Sequence, residues 1–257
     1  MTRIHHTAIV DSTAILEEGC CIGPYCNVGP KVFLGKSCVL HSHVVLHGPC
    51  TIGVKNTFYP FCSIGQRTQD LKYEGEPTHL EIGKSNTFRE GVTINRGTTQ
   101  KSKTVIGNYS NFLAYSHVAH DCEVGNHIVF SNGATLAGHV CVEDHAVIGG
   151  LTAAHQFCRI GQHAIVGGCS KIVQDVPPFM IADGNPAEIH GINVVGLKRF
   201  GFGEGELLTL KGAFRILYRS NLNVQQALKR IRQEMGSSSN INTLISFITS
   251  SHRGIIR

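Results

Sequence analysis

The stretch LAYSHVAHDCEVG, residues 113–125, places His117 and His120 three apart and follows the second with Asp121. Imidazole titrates near pH 6.5, so a histidine with a carboxylate to fix its tautomer is suited to general-base catalysis near neutrality. The same residues would serve as metal ligands, or as plain polar side chains outside a repeat. Choosing among these requires knowing which other groups the fold brings to the pair. Candidates further along are Gly138, His139, His155 and Gln156.

The positioning elements announce themselves as a repeat. From Val10, stepping by six, one apolar phase runs to Ile172, broken only at Asp70, Glu76 and Gln100. A period of six suits neither a helix nor a lone strand, but it suits short strands joined by regular turns in a β-solenoid. Glycine often follows the apolar site, as at Gly35 and Gly149, where a tight corner leaves little room for a side chain. The residue two earlier should also face inward, and that phase collects Cys20, Cys26, Cys38, Cys50, Cys62, Cys122 and Cys158, seven of the ten cysteines. These read as small core fillers, and a disulfide framework or zinc cage is not expected.

The three polar positions mark two excursions, Gln66–His79 and the shorter Gly97–Lys103. The first is expected to carry binding groups and the second to be ordinary surface. The apolar phase stops at Pro177-Pro178, giving an expected division into a β-solenoid at 1–190 and a helical part at 191–257. Leu207, Leu210, Phe214 and Leu217 form one helical stripe. Val224, Ala227, Leu228 and Ile231 form a second, with Asn223 and Gln226 as its capping pair, and Leu244, Ile245 and Ile248 suggest a third. Charge divides along the same boundary: 13 Lys+Arg against 15 Asp+Glu in residues 1–189, but 10 against 3 afterwards. The basic end would serve solubility or offer an electrostatic surface to an acidic partner. No 18-residue apolar run and no signal-like start are present, so a cytoplasmic protein without a membrane span is expected.

The hexamer repeat resembles that of the hexapeptide acyltransferase superfamily, which implies 18 residues per coil. On that spacing His120, Gly138 and Gln156 stack at one corner, with His139 and His155 beside them and Asp121 one coil below His139. In one reading His120 takes the proton from a substrate hydroxyl as it attacks an acyl thioester, and the Gly138 N–H receives the developing oxyanion. In another, three histidines hold zinc with water in a fourth position, though the carbonic anhydrases built on a similar β-solenoid space two of theirs more widely. A non-catalytic scaffold is the third.

The hexapeptide pattern resembles the hexapeptide acyltransferase superfamily, which implies a left-handed parallel β-helix. Within it, QDLKYEGEP (69–77), HVAHDC (117–122), LAGHV (136–140), HQFCRIG (155–161), GGCS (167–170), QDVPPF (174–179), GLKR (196–199) and RGIIR (253–257) are similar, in order and spacing, to the UDP-N-acetylglucosamine O-acyltransferase family. The resemblance implies the first step of lipid A synthesis: transfer of a fatty acyl group, commonly 3-hydroxylated, from acyl carrier protein to the glucosamine 3-hydroxyl of UDP-N-acetylglucosamine. The enzyme would be a cytoplasmic homotrimer with sites between subunits. It would need no metal and no cofactor beyond the carrier's phosphopantetheine, and no nucleic acid.

Carried over by residue, the resemblance makes His120 the base, Asp121 its orienting carboxylate and Gly138 the oxyanion donor. It makes Gln69, Asp70, Lys72, His117, His139, His155, Gln156, Asn193 and Arg199 substrate contacts. Gly168 matches the position that limits acyl length, a small residue there leaving room for a chain of about 14 carbons. Arg199, Lys211, Arg215 and Arg219 are candidates for the carrier-protein surface. The sequence departs from the family pattern at Asn95, where some members have His, at Val195 in place of Glu and at Phe200 in place of a second Arg. Some relatives take an amine in place of the sugar hydroxyl, which leaves the 3-amino sugar nucleotide as an alternative acceptor.

Overall fold

The computed structural model describes residues 1–236 and 238–257. Short strands wind a three-sided left-handed β-helix, each side a parallel sheet. The first sheet runs from Arg3–Ile4 to Ile165–Val166, the second from Ile9–Val10 to Lys171–Ile172, and the third from Ile15–Leu16 to Arg159–Ile160. Most strands are two residues long, because a corner follows every hexamer.

Above the second excursion the register is 18: His117 pairs with Thr135, and Thr135 with Ala153. Lower down, Ser63 pairs with Thr93 and Thr93 with His117, offsets of 30 and 24. The excursions therefore add 12 and 6 residues, whole hexamers that leave the apolar phase intact while shifting the vertical partner. Both leave the chain at the corner joining the second sheet to the third.

The phase residues fill the prism. Phe58, Phe88, Phe112 and Phe130 are fully buried and stack in a ladder with centroids 4.8, 4.9 and 4.9 Å apart. Each such side chain contributes about 1.5–3 kcal/mol by leaving water, and each stacked pair adds about 0.5–1.5 kcal/mol. The seven in-phase cysteines are buried, and all ten are free. They do more than fill space, since the Cys26, Cys38 and Cys122 thiols donate to the carbonyls of His41, Gly53 and Ala137. Burial pushes the Cys50, Cys62 and Cys122 thiols up to about 12, which keeps them protonated donors.

Two residue types make the corners. The glycine after the apolar site is required by space: a Cβ on Gly149 would lie 2.6 Å from Gly167 in the next coil. The left-handed residue comes two later and is seldom glycine; Asp121, His139 and Phe157 adopt φ of 57°, 61° and 64°. Such a conformation costs non-glycine residues on the order of 1–3 kcal/mol, offset at these corners by a hydrogen bond from the backbone N–H. The His139 and Phe157 N–H groups donate to the His120 and Gly138 carbonyls at 3.0 and 3.2 Å.

The top is closed by an antiparallel hairpin, Met180–Gly184 with Ala187–Ile192, whose first strand pairs with Ile165–Val166. Among the described residues four helices follow: α1 (Val194–Arg199), α2 (Glu204–Arg219), α3 (Val224–Glu234) and α4 (Ser239–Thr249). The last three match the sequence stripes, and the Asn223–Gln226 capping box opens α3 as expected. The hairpin and α1 have no counterpart in the sequence reading. The tail then returns to the solenoid: Asp175 N–H donates to the Gly254 carbonyl, Ile256 N–H donates to the Asp175 carbonyl, and Ile255 and Ile256 are buried. Among the described residues no helix is long and apolar enough to cross a membrane.

Candidate active site

His120 ends the second-sheet side of its coil and Asp121 turns the corner. Neighbours in an extended strand face opposite ways, which would part Asp121 from His120. The left-handed φ of Asp121 removes that objection, because it swings the carboxylate back beside the ring. His120 Nδ1–H donates to Asp121 Oδ2 at 2.8 Å, and the two side chains are only 12% and 8% exposed. With the proton on Nδ1, Nε2 keeps its lone pair and has no hydrogen-bond partner among the described residues.

Gly138 lies directly above. A Cβ there would stand 2.4 and 2.5 Å from His120 Cε1 and Nε2, so the missing side chain is what admits the ring. The Gly138 N–H has no acceptor among the described residues, although the residue is buried. A free buried N–H next to an imidazole lone pair is suited to receiving negative charge. His139 Nε2 stands 3.8 Å from Asp121 Oδ2, with its ring stacked on Phe157 at 4.6 Å.

The shorter excursion, expected to be ordinary surface, corrects that expectation. Thr98 N–H donates to both Asp121 oxygens at 3.3 and 3.1 Å, and the Asp121 N–H donates to Thr104 Oγ1 at 2.9 Å. The buried Ser102 hydroxyl, with no other partner among the described residues, lies beside the same carboxylate. Burial by itself would raise the Asp121 carboxyl. The groups of Ser102, His120 and Thr98, with His139 nearby, outweigh it and hold the acid below the usual carboxylate range. Asp121 is thus an ionised acceptor for His120. The sequence offered no signal for Thr98 or Ser102, which the inserted hexamer sets under Asp121, whereas Thr104 arrives there by the ordinary 18-residue register of the third sheet.

The longer excursion joins the same network. The Thr98 hydroxyl donates to Thr68 Oγ1 at 2.8 Å, which also accepts the Asp70 N–H at 3.1 Å. Asp70 Oδ1 accepts the Lys72 N–H at 2.9 Å in a local turn, and the loop frames a cavity of about 470 Å³ lined by Gln69, Asp70 and Asn95. Asn95 Nδ2 donates to the Arg67 carbonyl, tying the loop to the second sheet. Gln69 and Lys72 are exposed.

His117 stands on the second-sheet face, 2.7 Å through Nδ1 from the Thr93 hydroxyl. Burial, and then His120, push it below the ordinary imidazole value, with Thr93 only partly offsetting this. His155 and Gln156 are exposed one coil above Gly138. A second cavity, about 500 Å³, runs from Asp121 and His139 past Phe157 and Arg159 to His252 and Arg253. A larger groove of about 950 Å³ between α3 and α4 contains no comparable set of catalytic groups.

Other expected residues are not brought to this corner within one chain. Asn193 caps α1, accepting from the Gly196 N–H and donating to the His163 carbonyl, both at 3.0 Å. It and Arg199 therefore lie by the corner joining the third sheet to the first. There Phe200 packs edge-on against His145 and His163. Gly168 is exposed at the remaining corner, between the first sheet and the second. Lys211, Arg215 and Arg219 are exposed along one face of α2.

Comparison with known proteins agrees with this geometry. Residues 175–256 match the family described as UDP N-acetylglucosamine O-acyltransferase, domain 2. The chain is 50% identical to an acyl-[acyl-carrier-protein]–UDP-N-acetylglucosamine O-acyltransferase of Burkholderia lata, covering 100% of both chains. Solved structures of UDP-N-acetylglucosamine acyltransferases superpose over nearly the whole length. The Moraxella catarrhalis protein is 43% identical with a TM-score of 0.95 and 99% coverage of each chain. The Bacteroides fragilis protein is 37% identical with a TM-score of 0.97, covering 99% of this chain and 100% of its own. The chain therefore belongs to the UDP-N-acetylglucosamine O-acyltransferase family.

Proposed function

We propose that the protein transfers a fatty acyl group from acyl carrier protein to the glucosamine 3-hydroxyl of UDP-N-acetylglucosamine, the first step of lipid A synthesis. The observation that carries this reading is the His120–Asp121 pair beneath Gly138, with an Nε2 lone pair next to an N–H, both unpartnered among the described residues. His120 Nε2 removes the hydroxyl proton as the oxygen attacks the thioester carbonyl. The Gly138 N–H bears the charge on the tetrahedral oxygen. Collapse expels the carrier thiolate, to which the imidazolium returns the proton. General-base assistance of this kind contributes roughly 10²–10⁴-fold.

Asp70, Lys72 and Gln69 hold the sugar nucleotide from the first loop, and His117, His139, His155 and Gln156 contact substrate around the corner. Asn193, Arg199 and Gly168 occupy the other two edges of the prism, which argues for a homotrimer whose neighbours bring them to the His120 corner. Exposed Tyr115 and Leu151, on the Gly168 edge, are suited to such an interface. Ten free cysteines fit a reducing, cytoplasmic address.

The test is acyl transfer by the purified protein, with carrier chain length varied against UDP-N-acetylglucosamine and its 3-amino analogue. Product with a long 3-hydroxyacyl donor and the hydroxyl acceptor is expected. Absence of product from every pair would defeat the assignment.

A further inference from the structure

His120, Asp121 and His139 have a capacity that acyl transfer does not use. One ligand atom from each lies within 4.8 Å of the others. Asp121 Oδ2 is 2.8 Å from His120 Nδ1 and 3.8 Å from His139 Nε2. Nitrogen and oxygen ligands held tetrahedrally at about 2.0–2.2 Å from zinc stand roughly 3.4 Å from one another, which falls between these separations. The two imidazoles cross at 89° with centroids 5.2 Å apart, so they approach the carboxylate from different bearings. His139 is fixed by its stack on Phe157 and is 37% exposed, which gives an ion access and room for a fourth, water ligand. The neighbouring imidazole nitrogens His117 Nδ1 and His155 Nδ1 are engaged by Thr93 and by the Gln156 carbonyl.

We propose that these three residues form an inhibitory site for a zinc-like divalent cation. The binding stands on the geometry alone; the inhibition rests on the acyl-transfer reading. Neutral imidazole carries one ring proton, placed on Nδ1 when it donates to Asp121. A cation at Nδ1 takes that position, and the proton moves through water to Nε2, so the site gains an N–metal bond and loses no proton. His120 then presents an N–H where the reaction needs a lone pair, and the Asp121 charge is spent on the ion. Zinc, cobalt and nickel suit two imidazoles and one carboxylate; magnesium, which prefers six oxygens, does not.

The experiment uses the full chain dialysed against chelator and titrated with Co²⁺, without substrates. One cobalt per chain with a tetrahedral visible spectrum is expected, displaced by Zn²⁺ and untouched by Mg²⁺. Zinc should suppress acyl transfer in step with occupancy, and chelator should restore it. In the unsubstituted protein zinc should shift the ring resonances of His120 and His139 and leave those of His155. His139→Gln should weaken cobalt binding and zinc inhibition of its residual activity by at least about tenfold, the scale on which metal sites respond to loss of a supporting group. Cys169→Ser, which removes the exposed thiol, should change neither. Undiminished cobalt binding in His139→Gln, loss of binding in Cys169→Ser, or a zinc requirement for transfer would overturn the proposal. Because the spectrum is read without substrates, its failure is separate from any failure of acyl transfer.

Discussion

Asp121 acts on His120 by charge and by direction. Its carboxylate, held ionised by Ser102, His120 and the Thr98 N–H, dictates which ring nitrogen carries the proton. Asp121→Asn keeps the size but lets an amide N–H face Nδ1, which stabilises the wrong tautomer. The expected result is a fall in kcat on the order of 10²–10⁴-fold with little change in KM for the sugar nucleotide, read by steady-state assay. The types and spacing of His120 and Asp121 were legible in the sequence. Their contact was implied by the family resemblance but not by the spacing, because it depends on the left-handed φ at Asp121.

A second residue-scale consequence concerns His163. Burial, and then the neighbouring His145 ring, lower it to about 4, against roughly 6.5 in the unfolded chain. Asp144 opposes this, and Phe179, Phe200 and Phe202 pack around the ring without adding charge. Between those values the unfolded chain binds more protons, so the stability from a neutral His163 is complete above about pH 6.5 and drains away as pH falls towards 4. Calorimetry should show Tm falling over that window, and His163→Phe should flatten the fall. An unchanged slope in the variant would count against the assignment.

At the scale of elements, the hexamer sets what could be read. Each phase position was visible because two-residue strands repeat one inward side chain per corner, and the Phe58–Phe130 ladder is its densest expression. Phe112→Ala should cost about 3–5 kcal/mol in denaturant unfolding, since rings above and below prevent collapse of the cavity. A loss below about 1 kcal/mol would mean the ladder relaxes. The same hexamer concealed the excursions' effect. Insertions of 12 and 6 residues preserve phase, so nothing in the pattern of apolar residues reveals that Thr98 and Ser102 arrive beneath Asp121. The closing hairpin and α1 escaped because one pairs irregularly and the other spans only six residues, too short for helical periodicity.

Across the whole molecule, the residues expected from the sequence to act together lie on three edges of a prism, which a linear sequence cannot display. His120 occupies one edge, Asn193 and Arg199 another, and Gly168 the third, while the basic helices form a separate surface. Reversing charge at Arg215 and Arg219 together should raise KM for acyl carrier protein severalfold, more at low salt, and leave KM for the sugar nucleotide unchanged. Equal effects on both substrates would remove α2 from the carrier surface.

The most direct test of His120 as the base is kcat for His120→Ala with acyl carrier protein thioester and UDP-N-acetylglucosamine, on protein confirmed to be folded and free of metal. A loss of about 10²–10⁴-fold with KM near that of the unsubstituted protein is expected. Near-full activity in the variant, or activity in the parent that appears only with stoichiometric zinc, would contradict it.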